Sequence, residues 1–232
     1  MAFADLTPDC GRCPIRARHF DGPEELAGHA RLAAVVARRQ WRDRQTLFVE
    51  GHQGEHVFFV RSGAVRLTRL QPDGAEVLID FVGAGGVVGL ESIFSGENDV
   101  TATACGVVAC CTASASDVRG LLPTTPGLAV ALLRISHADV GGLRTRFADV
   151  TSAPAEQRVA RFLLGTLPVW QAQVPGFTQM DMARALGLTP ETLCRVLAQF
   201  RRRQWVHGQA HSLTVLDRER LQQLSAGAAQ HG

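Results

Sequence analysis

The sequence predicts an α+β chain: a small antiparallel β domain, then a long helix, then a C-terminal winged helix-turn-helix. Three observations predict it. Short β-prone runs separated by glycine-containing breaks fill residues 46–112, an apolar heptad stripe runs on from residue 129, and two capped helical segments flank a tight turn at Gly187. The 232 residues are enough for one large domain or two small ones with a real core. With 46% hydrophobic and 20% charged residues the composition is that of a globular chain. The formal net charge of +2 announces no general affinity for polyanions, but Arg195, Arg201, Arg202 and Arg203 fall in one short stretch. A local basic patch suffices for phosphate binding, because the field acts within about 8–10 Å.

Residues 1–22, with their Pro, Cys and Arg, read as an irregular segment, and Pro23 to Arg39 has helical spacing, with Leu26, Ala30, Ala33 and Ala37 on one face. Four β-prone runs follow: 46–49, 57–60, 64–68 and 77–81. They are separated by Glu50-Gly51, Ser62-Gly63, Pro72-Asp73-Gly74 and residues 83–86, and Thr101 to Thr112 continues the pattern. Strands of this length with glycine turns argue for a small barrel or sandwich. From Pro126 the period changes. Ala129, Leu133, Ser136, Val140, Leu143, Phe147 and Val150 are spaced 4-3-4-3-4-3, a heptad seam. Left alone such a seam stays wet, so the expected partner is the same helix from a second copy; the seam residues are Leu133, Val140, Leu143, Phe147 and Val150. A second stripe, Leu128, Leu132 and Ile135, is expected to pack on the chain's own β domain. Residues 151–154, ending in Pro154, interrupt the helix, and the boundary before the next domain is placed there. The expected division is 1–22 Cys-containing segment, 23–125 sensor domain, 126–151 dimerisation helix and 152–232 winged helix-turn-helix.

The segment Phe177 to Phe200 carries the most specific signal. Thr178 is an N-cap with Asp181 three residues on, Gly187 allows the left-handed turn, Thr189 caps the second helix and Pro190 fills its first position. Leu193, Val196 and Leu197 then face inward, which leaves Glu191, Cys194, Arg195 and Gln199 outward, the arrangement of a recognition helix aimed at base edges. Arg195 can bond guanine O6 and N7, and Glu191 can accept from cytosine N4 and orient Arg195 one turn away. Thr178, Gln179, Arg184, Thr189, Arg201, Arg202 and Arg203 are candidates for phosphate contacts, which set register rather than sequence. Trp205 to Leu216 reads as a β-hairpin, the wing.

With these motifs the chain resembles the CRP/FNR family of bacterial transcription regulators over residues 20–224. Residues 187–195 are similar to that family's recognition-helix signature, and residues 88–96 resemble an FNR-like sensor segment. The resemblance implies a β-roll of the cyclic-nucleotide-binding type, a long dimerisation helix and a winged helix-turn-helix. It also implies an FNR-like TTGA-type palindrome read as a homodimer by Glu191, Cys194 and Arg195, although FNR-like members carry Ser where Cys194 stands. RNA polymerase becomes a partner if the protein is an activator. Cyclic-nucleotide binders of the family place an acidic residue directly after the glycine matching Gly89 and an Arg-Ser or Arg-Thr pair about ten residues on. Here Leu90 and Val100-Thr101 occupy those places. A phosphate buried without a cation is costly, so cAMP is disfavoured as effector.

Six cysteines, Cys10, Cys13, Cys105, Cys110, Cys111 and Cys194, read as free thiols, metal ligands or redox sensors in a reducing compartment. Residues 9–16 are similar to the N-terminal motif of FNR relatives that hold a [4Fe–4S] cluster, and Cys111 aligns with their β-roll cysteine. The third cysteine of that set is absent; Asp21 and His19 stand where different subgroups carry it. Three readings stay open: a cluster held by Cys10, Cys13 and Cys111 with Asp21 or His19, a simple thiol site, or another metal or haem. Leu143 replaces an acidic residue of the oxygen sensors, which favours a dimer independent of a cluster. Cys194, beside Arg195 near a helix start, is a second candidate redox switch, set against a residue that merely packs.

The alternatives are a cyclic-nucleotide-like effector module whose helix-turn-helix serves protein contacts, and a constitutive dimer regulated by thiol oxidation. No hydrolase triad, Walker loop or HExxH motif supports an enzyme. No apolar run of membrane-spanning length and no secretory leader is read, so a cytoplasmic location is expected.

Overall fold

Two long strands organise the N-terminal half. β3 (His56–Leu70) and β6 (Thr101–Ser114) pair antiparallel along most of their length. Val57, Phe59, Cys111 and Ala113 point to one face of this pair, and Phe58, Val60, Val108 and Cys110 to the other. β1 (Ala37–Trp41) and β2 (Thr46–Phe48) pair with β6; β4 (Glu76–Gly83) and β5 (Val87–Val88) pair with β3, all antiparallel. Trp41, Val65, Val88, Ala102 and Ala104 complete the inner face. The outer face is roofed by helices α1 (Pro14–His19) and α2 (Pro23–Ala33) and by the start of α4 (Pro126–Ser152). Leu128, Leu132 and Ile135 of α4 are buried there with Ile15, Phe20 and Leu32. Between β6 and α4 lies α3 (Ala115–Leu121), capped by the Ser114 hydroxyl, which accepts the Asp117 N–H at 2.9 Å.

The computed structural model describes residues 10–74, 76–166, 178–208 and 213–227. The chain divides into two compact units, Met1–Val140 and Gly141–Gly232. In the second unit α5 (Ala155–Thr166) packs on α7 (Pro190–Arg202) and α8 (Arg218–Ser225), and α6 (Gln179–Ala185) packs on α7. Its buried residues include Val159, Leu163, Met182, Leu193, Leu197, Phe200 and Leu221. β7 (Val206–His207) and β8 (Thr214–Val215) form an antiparallel pair behind α7. Phe177, Leu167 and the tip of the expected hairpin, residues 209–212, lie outside the described residues. Among the described residues no helix is long and apolar enough to cross a membrane.

Three sequence expectations are corrected. Residues 14–19 are a short helix rather than irregular, started by Pro14 at its first position and anchored by buried Ile15. The helix expected to reach Arg39 stops at Ala33, and Ala37–Trp41 is a strand. There the backbone bonds of β6 outweigh the helical spacing of the alanines, and the polar side chains Arg38, Arg39 and Gln40 suit a sheet edge. The runs 57–60 and 64–68 are one strand, not two. Ser62-Gly63 is a register shift inside it, with Gly63 at φ +79°; a Cβ there would lie 2.5 Å from the Val107 carbonyl oxygen.

The roof is set by contact at backbone distance. A Cβ on Gly127 would lie 2.1 Å from the Glu24 carbonyl oxygen, and one on Gly28 would lie 2.7 Å from the Leu128 nitrogen. Gly127→Ala is expected to destabilise the protein by about 1–3 kcal/mol, the usual cost of overpacking. Gly120→Ala in α3, where a Cβ meets open space, should instead stabilise by up to about 1 kcal/mol. Urea melts of the two variants check the contrast.

Candidate nucleic-acid interface

The outward face of α7 is defined by what its inward face buries. Leu193, Val196, Leu197 and Phe200 are buried, so Glu191, Cys194 and Arg195 are exposed on the other side, with Gln199 half-buried. Both helix starts are capped locally. The Thr178 hydroxyl accepts the Asp181 N–H at 3.1 Å while the Asp181 carboxylate accepts the Thr178 N–H at 3.0 Å, a complete capping box. Thr189 accepts the Thr192 N–H at 3.2 Å with Pro190 as the first helical residue. Between them Gly187 sits at φ +58°, the left-handed conformation a tight turn between two helices needs.

Several of these polar residues also have partners within the chain. Among the described residues no ion pair joins Glu191 to Arg195. The Glu191 carboxyl is held below the usual carboxylate range by its own backbone N–H and by the Thr189 hydroxyl. The Cys194 thiol donates to Gln179 Oε1 at 3.0 Å and ties the recognition helix to the start of α6. Arg201 donates to the Gly208 carbonyl at 2.8 Å and braces the wing, while Arg203 lies 4.9 Å from the centroid of the Trp205 ring. Arg184, Arg195 and Arg202 are exposed. On α4, Leu133 is 70% exposed, Phe147 is 74% exposed, and Val140 and Leu143 are also exposed. The Val150 side chain lies outside the described residues.

The N-terminal thiols converge with a residue the sequence did not single out. Cys10, Cys13 and Cys111 line one cavity together with His29, Leu32 and Phe59. His29 is buried, packs edge-to-face on Phe20 at 5.1 Å, and has its pKa lowered by burial and by Arg16. Its place three residues before buried Leu32 was the available signal. The two expected ligands turn elsewhere. His19 Nε2 bonds the Gly85 carbonyl at 2.7 Å, and Asp21 is exposed and 3.9 Å from Arg134. Arg61 donates to Cys111 Sγ at 3.9 Å, yet burial still pushes the Cys111 thiol up. The cavity has about 20 Å³, room for one water. Among the described residues no three His, Cys, Asp or Glu side chains are gathered closely enough to hold a metal ion. As folded, the set does not fit a [4Fe–4S] cluster.

In the sensor segment, Leu90–Ile93 form a single tight turn fixed by Arg119, which donates to the Ile93 carbonyl at 2.8 Å. The Thr101 hydroxyl accepts the Glu50 N–H at 3.0 Å. Glu91 follows Leu90 in this turn, and its Oε1 is buried with no hydrogen-bond partner. Burial raises its pKa, opposed by its own backbone N–H and aided by the charge of Asp99.

A capped amphipathic helix beside a two-stranded wing, joined in one chain to a β-roll, defines a class: transcription regulators that bind DNA. The comparisons agree. The chain matches the family model for the cyclic nucleotide-binding domain over residues 38–125 and that for the Crp-like helix-turn-helix domain over residues 157–224. It is 29% identical to the CRP-like cAMP-activated global transcriptional regulator of Mycobacterium tuberculosis, over 89% of this chain and 95% of that one. It is 25% identical to the fumarate and nitrate reduction regulatory protein of Escherichia coli, over 78% of this chain and 75% of that one. The solved structure of FixK2 from Bradyrhizobium japonicum superposes with a TM-score of 0.72 at 26% identity, covering 84% of this chain and all of that one. The chain belongs to the CRP/FNR family of DNA-binding transcription regulators.

Because the folded Glu91 binds its proton more tightly than the unfolded chain does, it costs stability as pH rises from the ordinary carboxylate range through the raised pKa. Glu91→Gln should flatten that part of the profile and raise the thermal midpoint at pH 7. Melts across pH 4–8, a window set by the ordinary carboxylate pKa of about 4.3, check the sign.

Proposed function

We propose that the protein is a homodimer that reads a TTGA-type palindrome through Glu191, Cys194 and Arg195, with Thr178, Gln179, Arg184, Thr189 and Arg202 placing it on the phosphates. The observation that carries this reading is the outward display of Glu191, Cys194 and Arg195 from a helix whose opposite face is fully buried. Arg201 and Arg203 serve mainly to hold the wing, given their bonds to Gly208 and Trp205. The exposed stripe of Leu133, Val140, Leu143 and Phe147 is assigned to the second copy, and burying it supplies the association energy. The protein is read as cytoplasmic, with RNA polymerase as partner at activated promoters.

The response is assigned to thiol chemistry at the cavity of Cys10, Cys13 and Cys111, and no cluster is invoked. Two neighbouring thiols joined as a disulfide give up two protons and two electrons, which reduce hydrogen peroxide to water. Cys194 is the second reading, favoured by its exposure on the recognition helix. Cyclic AMP is not assigned, since Val100-Thr101 offers a cyclic phosphate no cation.

Arg195→Ala should weaken binding to the palindrome by about 1–3 kcal/mol per half-site and relax selectivity at one base pair, as read by fluorescence anisotropy on single-substitution operators. Unchanged affinity and selectivity would remove the base-reading assignment. Leu143→Glu should convert the dimer to monomer in sedimentation and abolish tight binding. Anaerobically purified protein should be free of iron and sulfide and should lose operator affinity on peroxide treatment. Persistence of that loss in Cys194→Ser and its absence in Cys13→Ser support the N-terminal cavity. The reverse pattern moves the switch to the recognition helix, and stoichiometric iron with sulfide overturns the thiol reading.

A further inference from the structure

α5 carries two arginines on one face, three residues apart, and both donate hydrogen bonds inside the second unit. Arg158 Nη1 donates to the Leu186 carbonyl at 2.8 Å and to the Gly187 carbonyl at 3.4 Å. These are the carbonyls at the turn between α6 and the recognition helix, where the negative end of α6 and its unpaired acceptors lie. Arg161 reaches two other helix ends. Its Nε donates to the Ser225 carbonyl, the last residue of α8, at 2.9 Å, and its Nη1 pairs with Asp149 in the last turn of α4. The Asp149 side chain is 15% exposed and that of Arg161 33%, so the pair is shielded enough to resist the solvent screening that weakens surface pairs.

The place of this pair in the chain gives it a consequence. α4 ends at Ser152 and α5 begins at Ala155, so only Ala153 and Pro154 join them. The Ala153 N–H still bonds the Asp149 carbonyl, and the Arg158 N–H bonds the Pro154 carbonyl. The joint is short, and the Asp149–Arg161 pair spans it from one helix to the other. The apolar core of Val159, Ala160 and Leu163 holds α5 to its neighbours in the second unit and fixes which face turns inward, but burial by itself specifies no bond geometry across the joint. A charged, hydrogen-bonded pair is directional.

We propose that Arg161 is a positioning residue for DNA recognition: through Asp149 it fixes the angle between the end of α4 and the winged helix-turn-helix, and so the spacing of the half-sites the dimer accepts. The inference rests on the palindrome-reading dimer described above. In a two-fold dimer, half-site separation mirrors the placement of the two recognition helices, so a loosened joint blurs the preferred spacing before it touches base reading. Arg158 supports the same geometry from the other side by holding the turn.

The test uses the full-length protein and a set of synthetic operators with identical half-sites and spacers differing by single base pairs. The parent is expected to show a sharp spacer optimum. Arg161→Gln should remain dimeric and melt cooperatively while its discrimination between the best spacer and the neighbouring ones falls by roughly fivefold or more, the scale of coupling within one charged network. Asp149→Asn, which leaves the Arg161–Ser225 bond in place, should do the same and carries the test if Arg161→Gln fails to fold. The charge-reversed pair Arg161→Asp with Asp149→Arg should regain discrimination. An equal loss of affinity on every spacer, or an unchanged profile, in the folded variants overturns the proposal and leaves a merely structural pair. A parent dimer that binds the half-site well but ignores spacing also overturns it while sparing the base-reading assignment. A parent indifferent to the palindrome altogether overturns that assignment and this inference together.

Discussion

Everything the C-terminal unit presents to solvent depends on one burial event, the insertion of Leu193, Val196, Leu197 and Phe200 against α5 and α6. A helix of this composition has one apolar stripe, so fixing that stripe fixes the opposite one. The caps at Thr178 and Thr189 then settle where each helix begins, which sets the angular place of every outward residue. Side chains that look like binding groups are secondary to this. Glu191 keeps its charge through local backbone and hydroxyl contacts, and Cys194 is bonded to Gln179 rather than left hanging. The site is presented to a ligand already ordered.

The helix-turn-helix was legible because its determinants are local: a cap, an acidic residue three positions on, a glycine and a proline at fixed offsets. The second stripe of α4 was legible because three-four spacing has one physical solution on a covered sheet, and Leu128, Leu132 and Ile135 are buried accordingly. β1 was not legible. Its residues Arg38, Arg39 and Gln40 have no strand pattern, and only the partner strand β6, some seventy positions away, makes them one. Ser62-Gly63 misled for the opposite reason, since a glycine with positive φ marks a turn and a bulge equally well in sequence.

The long-range polar contacts form a third class. Nothing in the spacing of Arg158 and Arg161 shows that they meet carbonyls 28 and 64 residues away. Arg201, in a basic run that reads as a phosphate patch, likewise turns to the wing. An arginine beside a helix end is drawn to the backbone acceptors there as well as to any external anion, and sequence offers no means of choosing between them. His29 was missed for a related reason: a single histidine on a buried helical face is ordinary until tertiary packing brings three thiols beside it.

The doublet Cys110-Cys111 shows what strand alternation does to chemically identical neighbours. Cys111 faces the helical roof and the Cys13 side of the sheet, whereas Cys110 faces the roll interior, where burial pushes its thiol to about 12. At neutral pH Cys110 is almost wholly protonated and walled off, so the pair offers no redundancy. Were Cys111 lost, the adjacent sulfur could not replace it without flipping the strand's whole register and turning Val108 and Ala113 to the wrong layers. Duplication along a β-strand thus places one sulfur at the cavity under the roof and the other in the roll interior.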